Sequence, residues 1–373
     1  MFARVAVSAA AALALAAPAI AAPPRVQAPA YIVENVTTGD VLAQHAAGRS
    51  RAIASITKLM TVIVTLQNAS PSDVVTVRED AAEVGESTIH LRAGEKISVR
   101  QLIEAALIQS ANDAADALAD FVGRGDTSAF VALMNAEAER LGMKDTHFVR
   151  PDGLDTPGHV SSARDVLKLA RAAMRYPLVR QVVRRRTATI SGGRRLYTWN
   201  DLLGRFRGLL GVKTGHTGGA GWCQVAAARR RGSTTYAVVL GDPTRSQRNA
   251  DLAALLRWGI SRYRLRKVIA ARTVFARVAS GYGRSPLELV ADAALRRPVR
   301  VDRPLVARVV APTTISLPVT RGQRIGEVRV TSGSRMIGVR TLVAARSVGR
   351  PSFFGRVGWY AGRTAHHIVG WIT

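Results

Sequence analysis

Ser55 and Lys58 stand three residues apart in the word Ser55-Ile56-Thr57-Lys58. On a helix that spacing puts both side chains on one face, about one turn from each other. A serine hydroxyl is a poor nucleophile until a base takes its proton. A lysine amine can be that base only when neutral, and neutralising an ordinary lysine at pH 7 costs about 4.6 kcal/mol, or ~3.4 pK units. Burial and a nearby positive charge can supply the shift, and Lys213 is the expected source of that charge. A helix start at Ser55 would also set the positive end of the helix dipole beneath an oxyanion formed there.

Two further words complete a site. Ser110-Ala111-Asn112 falls between two helical runs. Its hydroxyl can relay a proton between Lys58 and a leaving amine, and the Asn112 amide can hold a substrate peptide group while contacting Lys58. The competing reading is a pair of helix N-caps. Lys213-Thr214-Gly215 falls in a strand-like run. An edge strand can pair with a peptide backbone. Lys213 and Thr214 can bind a terminal carboxylate, Gly215 lets a ligand approach closely, and the backbone N–H groups of Ser55 and His216 can form an oxyanion hole. The chemistry is acyl transfer to serine, with no cofactor and no metal. The one close histidine pair, His366-His367, is adjacent in sequence and lacks ligand-like partners.

The elements that must position these groups are legible in the apolar pattern. Tyr31 to Val36, a Thr37-Thr38-Gly39-Asp40 turn and Val41 to Ala43 read as a hairpin. Leu59, Val62, Ile63 and Leu66 follow helical spacing after Ser55. Val99 to Leu107 and Asp113 to Phe121 read as two helices meeting at the Ser110 turn, Phe130 to Leu141 as another, and Ser161 to Met174 as a fourth with Ser161 or Ser162 as its cap. Leu209 to Leu240 reads as two strands, with Val212 to Gly215 in the first and Cys223 to Ala228 and Thr235 to Leu240 following. Asn249 to Trp258 is again helical. Helices between early and late strands predict an α/β (α+β) core around one antiparallel sheet, spanning 31–262. Beyond Tyr263, short Val/Ile/Leu runs alternate with Gly, Pro and Arg, predicting a small all-β domain over 263–346.

The ends carry different signals. Residues 1–22 hold Arg4, an apolar run and small residues at Ala19-Ile20-Ala21, the pattern of a secretory signal peptide; a retained anchor is the alternative. Residues 23–30 read as a Pro- and Ala-rich linker. Cys223 is the single cysteine, so no intramolecular disulfide is available, and a buried packing thiol is expected. Of the formal net charge of +27, +17 lies in residues 262–373, which hold 21 of the 53 Lys and Arg and 4 of the 26 Asp and Glu. On an exported protein such charge points to an anionic surface rather than nucleic acid. In 347–373, Phe353, Val357, Tyr360, Ala361, Ile368 and Trp371 recur at helical spacing among Arg356, Arg363 and His367. That predicts a basic amphipathic helix lying in a membrane interface, with a spanning helix or packing onto the β-domain as rivals.

The flanking residues make the resemblance specific. Ala54 to Thr61 (ASITKLMT), Gln109 to Ala115 (QSANDAA), Pro151 to Leu154 (PDGL), Ser161 to Asp165 (SSARD) and Val212 to Thr217 (VKTGHT) resemble the D-alanyl-D-alanine carboxypeptidases, the low-molecular-mass penicillin-binding proteins. The resemblance is close over roughly 30–260 and looser from Gly322 to Ala345 and at Ser352 to Phe354. It implies a penicillin-binding/β-lactamase-like catalytic domain. The implied activity removes the terminal D-alanine of peptidoglycan stem pentapeptides and is blocked covalently by β-lactams. Ser55 would form the acyl-enzyme, with Lys58 as general base. Ser110 and Asn112 would shuttle protons and position substrate, and Lys213 and Thr214 would bind the carboxylate. His90, Gly158 and His159 are assigned no role, and His216 is expected to act through its backbone. A D,D-endopeptidase would share the site. A β-lactamase would too, but class A enzymes need a deacylating glutamate, and none occurs between Glu139 and Glu288. A scaffold with a dead site is disfavoured by the intact nucleophile, base and carboxylate binder.

Overall fold

A computed structural model describes residues 22–282, 284–350, 352–353 and 357. The signal-peptide reading, apart from Ala22, and most of the amphipathic tail lie outside the described residues. The chain divides into two compact units, one of Ala22–Ser261 and one that begins at Arg262.

The first unit is built on a five-stranded antiparallel sheet in the order Asp40–His45, Ala30–Asn35, Ser233–Asp242, Gly221–Arg230, Leu209–Thr217. The Leu209–Leu240 region therefore makes three strands rather than two. Thr217–Gly221 and Arg230–Ser233 are tight reversals that pair each strand with the next. Side chains alternate across a strand, so each strand serves both faces. Ile32, Val225, Val238 and Leu240 join the large core under the helices, while Val33, Ala226, Ala237 and Val239 meet Leu252, Leu255 and Leu256 of the helix Arg245–Ser261. Burial on both faces explains why these strands read as near-continuous apolar runs.

The helical face supplies the site. A short 3-10 turn, Ala54–Thr57, leads into the helix Lys58–Asn68, whose first eight residues are all buried. Val99–Glu104 opens with a capping box between Ser98 and Gln101 and continues through a π-helical turn, Ala105–Gln109. Ser110 then adopts φ +69°, and the helix Asn112–Gly123 begins. The residue at that helix's N-cap is Ala111, with no side-chain cap. Neither Ser110 nor Asn112 caps it, which leaves the hydroxyl and the amide for other partners. Ala163–Ala173 is capped by Ser162, whose hydroxyl accepts from the Asp165 N–H at 3.2 Å.

The second unit is all β among its described strands. Its five-stranded antiparallel sheet runs Val274–Val278, Leu287–Ala291, Arg335–Ala344, Arg324–Ser332, Leu305–Val310, and Tyr263–Ile269 pairs with Leu295–Arg300. Leu287, Leu289, Val328, Val330 and Leu342 form its core.

Candidate active site

Three separate segments meet at the Lys58 amine. Its Nζ lies 2.9 Å from Ser55 Oγ, 2.7 Å from Asn112 Oδ1 and 2.7 Å from the Asp152 carbonyl. The Asn112 amide is oriented by its other end, because Nδ2 donates to the Gly85 carbonyl at 2.9 Å. Asn112 Oδ1 and Asp152 O are therefore pure acceptors. Of the three neighbours, only the Ser55 hydroxyl has a proton to give. A neutral Lys58 keeps two N–H donors for the acceptors and turns its lone pair to Ser55.

Lys58 is fully buried. Burial lowers its pKa to about 8; the Asp152 and Asp116 carboxylates oppose that shift, and Arg150 assists it. At pH 7 the neutral form then costs about 1.4 kcal/mol, against about 4.6 for an ordinary lysine. Lys213 does not supply the expected charge. It is itself buried, and its own pKa is pushed well below the usual lysine range, first by burial and then by Lys58 and Arg248. Desolvation is the main agent that lowers Lys58, and Arg150 is the assisting cation. Lys213 Nζ sits 2.8 Å from Ser110 Oγ and 2.8 Å from the Thr214 carbonyl. The site thus holds two serine–lysine pairs, Ser55 with Lys58 and Ser110 with Lys213.

Two glycines allow the approach. A Cβ on Gly215 would lie 2.8 Å from the Ile53 carbonyl and 3.2 Å from the Ser55 nitrogen. The glycine is needed for the edge strand to reach the nucleophile turn, whereas the sequence reading reserved it for ligand. That contact sets the Ser55 N–H against the strand beside His216. Gly153, at φ +85°, would place a Cβ 2.2 Å from the Ala54 carbonyl. The nucleophile turn is thus clasped from both sides. Its backbone is strained as well, with Ala54 at φ +48°, a conformation that costs a non-glycine residue on the order of 1–3 kcal/mol.

The 151–159 loop escaped the sequence reading in its particulars. Thr61 Oγ1 donates to the Pro151 carbonyl at 2.5 Å. His159 Nδ1 accepts from the Val149 N–H at 3.1 Å, so its Nε2 carries the proton and donates to Thr57 Oγ1 at 2.8 Å. Burial holds the ring neutral, with its pKa down to about 4. His159, assigned no role from sequence, is a buried strut under the nucleophile turn. Arg150 forks onto the Asp152 carboxylate at 2.5 and 2.6 Å and fixes the residue whose carbonyl faces Lys58.

Ser55 opens into a cavity of about 260 Å³, lined also by Ser110, Asn112, Thr214, Gly215 and His216. Lys58 and Lys213 lie behind this wall. The cation that lines the cavity is Arg248, which the sequence reading did not single out. Its side chain is 1% exposed, lies 5.4 Å over the Trp222 ring and bonds Asn249 Oδ1 and Asp201 through Nε and Nη2, leaving Nη1 outside those contacts. Burial lowers its pKa to about 10, so it stays charged at neutral pH. The exposed His216 ring stacks on the Trp222 ring, 4.0 Å between centroids. Cys223 is a buried thiol, its pKa pushed up to about 12 by desolvation. Among the described residues no group of three or more His, Cys, Asp and Glu is placed to hold a metal ion.

An antiparallel sheet with a helical cover, carrying a serine–lysine nucleophile opposite a Lys-Thr-Gly edge strand, defines the penicillin-binding class of fold. A profile described as D-alanyl-D-alanine carboxypeptidase matches residues 17–244, and the chain belongs to that family. It is 31% identical to the D-alanyl-D-alanine carboxypeptidase DacD of Escherichia coli, over 91% of each chain. It is 32% identical to DacA of the same organism, over 93% of this chain and 90% of that one. Among solved structures, a Francisella tularensis DacD is similar with a TM-score of 0.64 at 26% identity, covering 89% of this chain and 96% of that one. A Streptomyces DD-transpeptidase has a TM-score of 0.61 at 32% identity, covering 65% of this chain and all of that one.

The shifted amine sets a pH dependence. Lys58 must be neutral to accept the Ser55 proton, and its pKa lies at about 8. Acylation by a fluorescent penicillin is expected to rise about tenfold per pH unit below 8 and to level off above it. A rate that keeps rising to pH 10 would show an unshifted lysine.

Proposed function

We propose that this protein hydrolyses the terminal D-alanyl-D-alanine bond of peptidoglycan stem pentapeptides through an acyl-enzyme on Ser55. The observation that carries the reading is the Lys58 amine, 2.9 Å from Ser55 Oγ and otherwise facing acceptors only. Lys58 takes the Ser55 proton as Oγ attacks the penultimate carbonyl carbon. The oxyanion is held by the Ser55 and His216 N–H groups. As the C–N bond breaks, the Ser110 hydroxyl, supported by Lys213 Nζ at 2.8 Å, gives its proton to the leaving D-alanine nitrogen and regains one from the Lys58 ammonium, so that Lys58 is neutral again. Water then attacks the ester with Lys58 as base again. Asn112 orients the substrate amide, and Gly215 keeps the strand close to it. The substrate carboxylate is gripped by the Thr214 hydroxyl and Arg248, with Lys213 behind them.

A β-lactam enters the same path, but its ring nitrogen stays tethered to the acyl group and blocks the water. No glutamate between 139 and 288 is available to hasten deacylation. Intact-protein mass spectrometry after benzylpenicillin is expected to show one stable adduct on Ser55, absent in Ser55→Ala. Rapid penicillin turnover, or an unlabelled wild type, would contradict the assignment.

We also read 1–22 as an export signal and 347–373 as an interfacial helix attached to the outer face of the cytoplasmic membrane. The basic, aromatic pattern of the tail supports this reading, as does the +17 charge of 262–373. Among the described residues no helix is long and apolar enough to cross a membrane. Deleting 351–373 is expected to move the mature protein from the membrane pellet to the supernatant. An unchanged distribution would remove the tail from this role.

A further inference from the structure

Asp242 is a buried acid that the acyl-transfer steps do not use. It ends the strand Ser233–Asp242, opposite Trp222 in register, and is fully buried. No N–H or hydroxyl among the described residues donates to either of its carboxyl oxygens. Its hydrogen-bond partner is a second carboxyl, that of Asp251 in the helix Arg245–Ser261.

Asp251 is also buried, but it has donors on both oxygens. Oδ2 accepts from the Gln27 and Ala28 N–H groups at 2.6 and 3.1 Å, and Oδ1 accepts from Gln247 Nε2 at 2.6 Å. Two carboxyls in hydrogen-bond contact share one proton, because like charges that close do not both ionise at low cost. The three donors place the negative charge on Asp251, and the proton stays on Asp242 as the donor between them. Burial and then Asp251 raise the Asp242 pKa to about 8, and Arg248 opposes them.

Arg248 and Asp251 face Asp242 from the helix, and Cys223 faces it from the neighbouring strand. Arg51 reaches the same corner, since its Nη2 would lie 2.9 Å from a Cβ on Gly241. Cys223 remains a thiol up to about pH 12, and Arg248 remains a cation up to about pH 10. Between pH 8 and 10 the corner therefore gains a negative charge beside a guanidinium that keeps its own.

We propose that Asp242 is a positioning residue for carboxylate recognition, acting through Arg248. As a neutral acid it donates to Asp251 and leaves the Arg248 guanidinium to the substrate carboxylate. Once its proton is lost to water, it sets a second buried anion beside Arg248, which competes for the guanidinium and repels the substrate. The proposal rests on the carboxypeptidase reading, with the substrate carboxylate held at Arg248.

The test follows D-alanine release from diacetyl-lysyl-D-alanyl-D-alanine between pH 6 and 9.5, with kcat and KM resolved. That peptide's one ionisable group is its terminal carboxylate, so a change in KM belongs to the protein. In wild type, kcat is expected to reach the plateau set by Lys58 and stay there. KM is expected to hold steady below pH 8 and rise roughly tenfold to thirtyfold by pH 9.5, where about 3% of Asp242 keeps its proton. Asp242→Asn can still donate to Asp251 and cannot ionise; its KM is expected to stay within about twofold across the range, with the kcat profile unchanged. Asp251→Asn removes the neighbouring charge and is expected to move the rise in KM to lower pH. A wild-type KM that stays flat to pH 9.5 overturns the proposal whether or not either variant folds. A rise that survives in Asp242→Asn, or one left in place by Asp251→Asn, overturns it too. Release that disappears in Ser55→Ala keeps the carboxypeptidase reading whichever way KM moves, and no release at any pH would overturn both.

Discussion

The site depends on where one amine has been put. Lys58 is buried among two groups that can only accept hydrogen bonds and one hydroxyl that can do either. Desolvation makes the ammonium expensive, and the two acceptors make complete loss of its N–H groups expensive. The compromise is an amine with a pKa of about 8, able to exchange one proton with one partner. That partner is Ser55. The second pair repeats the idea more strongly, since Lys213 is lowered further by burial and by two neighbouring cations. One buried lysine next to another cannot both be charged at low cost, which divides the roles between them.

Much of the surrounding structure holds this geometry against strain. Ala54 and Ser110 both have positive φ, so the backbone turns sharply beside each serine. The Ala54 turn is held between Gly215 of the edge strand and Gly153 of the 151–159 loop, and His159 braces it through Thr57. Such contacts over-determine a conformation that an isolated peptide would avoid. The helix Asn112–Gly123 contributes by what it omits. With Ala111 at the N-cap, the polar side chains on either side serve the site instead of the helix end. Asn112 in turn links the nucleophile to Gly85 and Ser87, so the cavity wall and the base share one support.

The site's centre was legible because its chemistry sits in short words. Ser55 and Lys58 are helix neighbours, Ser110 and Asn112 flank one turn, and Lys213 to Gly215 are consecutive; spacing alone carries those relations. Strand alternation and helical periodicity likewise showed the sheet, the helices and the later β-rich unit, although the tight reversals at Gly218–Ala220 and Arg231–Gly232 hid one strand boundary. Contacts made through tertiary approach were not legible. Arg248 is one arginine among many, at a helix start with no word around it, and only the fold turns it into the cavity. His159 looked idle because its partner, Thr57, lies 102 residues away. Asp242 and Asp251 share no local pattern. Lys213 looks like a source of full charge by residue type, while burial, which sequence does not display, disfavours its charged form.

The most direct measurement is the ionisation of Lys58 itself. The chain has six lysines, so side-chain NMR of 13C-lysine-labelled protein can follow each amine, with Lys58→Arg identifying the one of interest. A signal absent from that variant should titrate near 8. The same signal titrating near 10.5, the ordinary lysine value, would contradict the assignment of Lys58 as the base that activates Ser55.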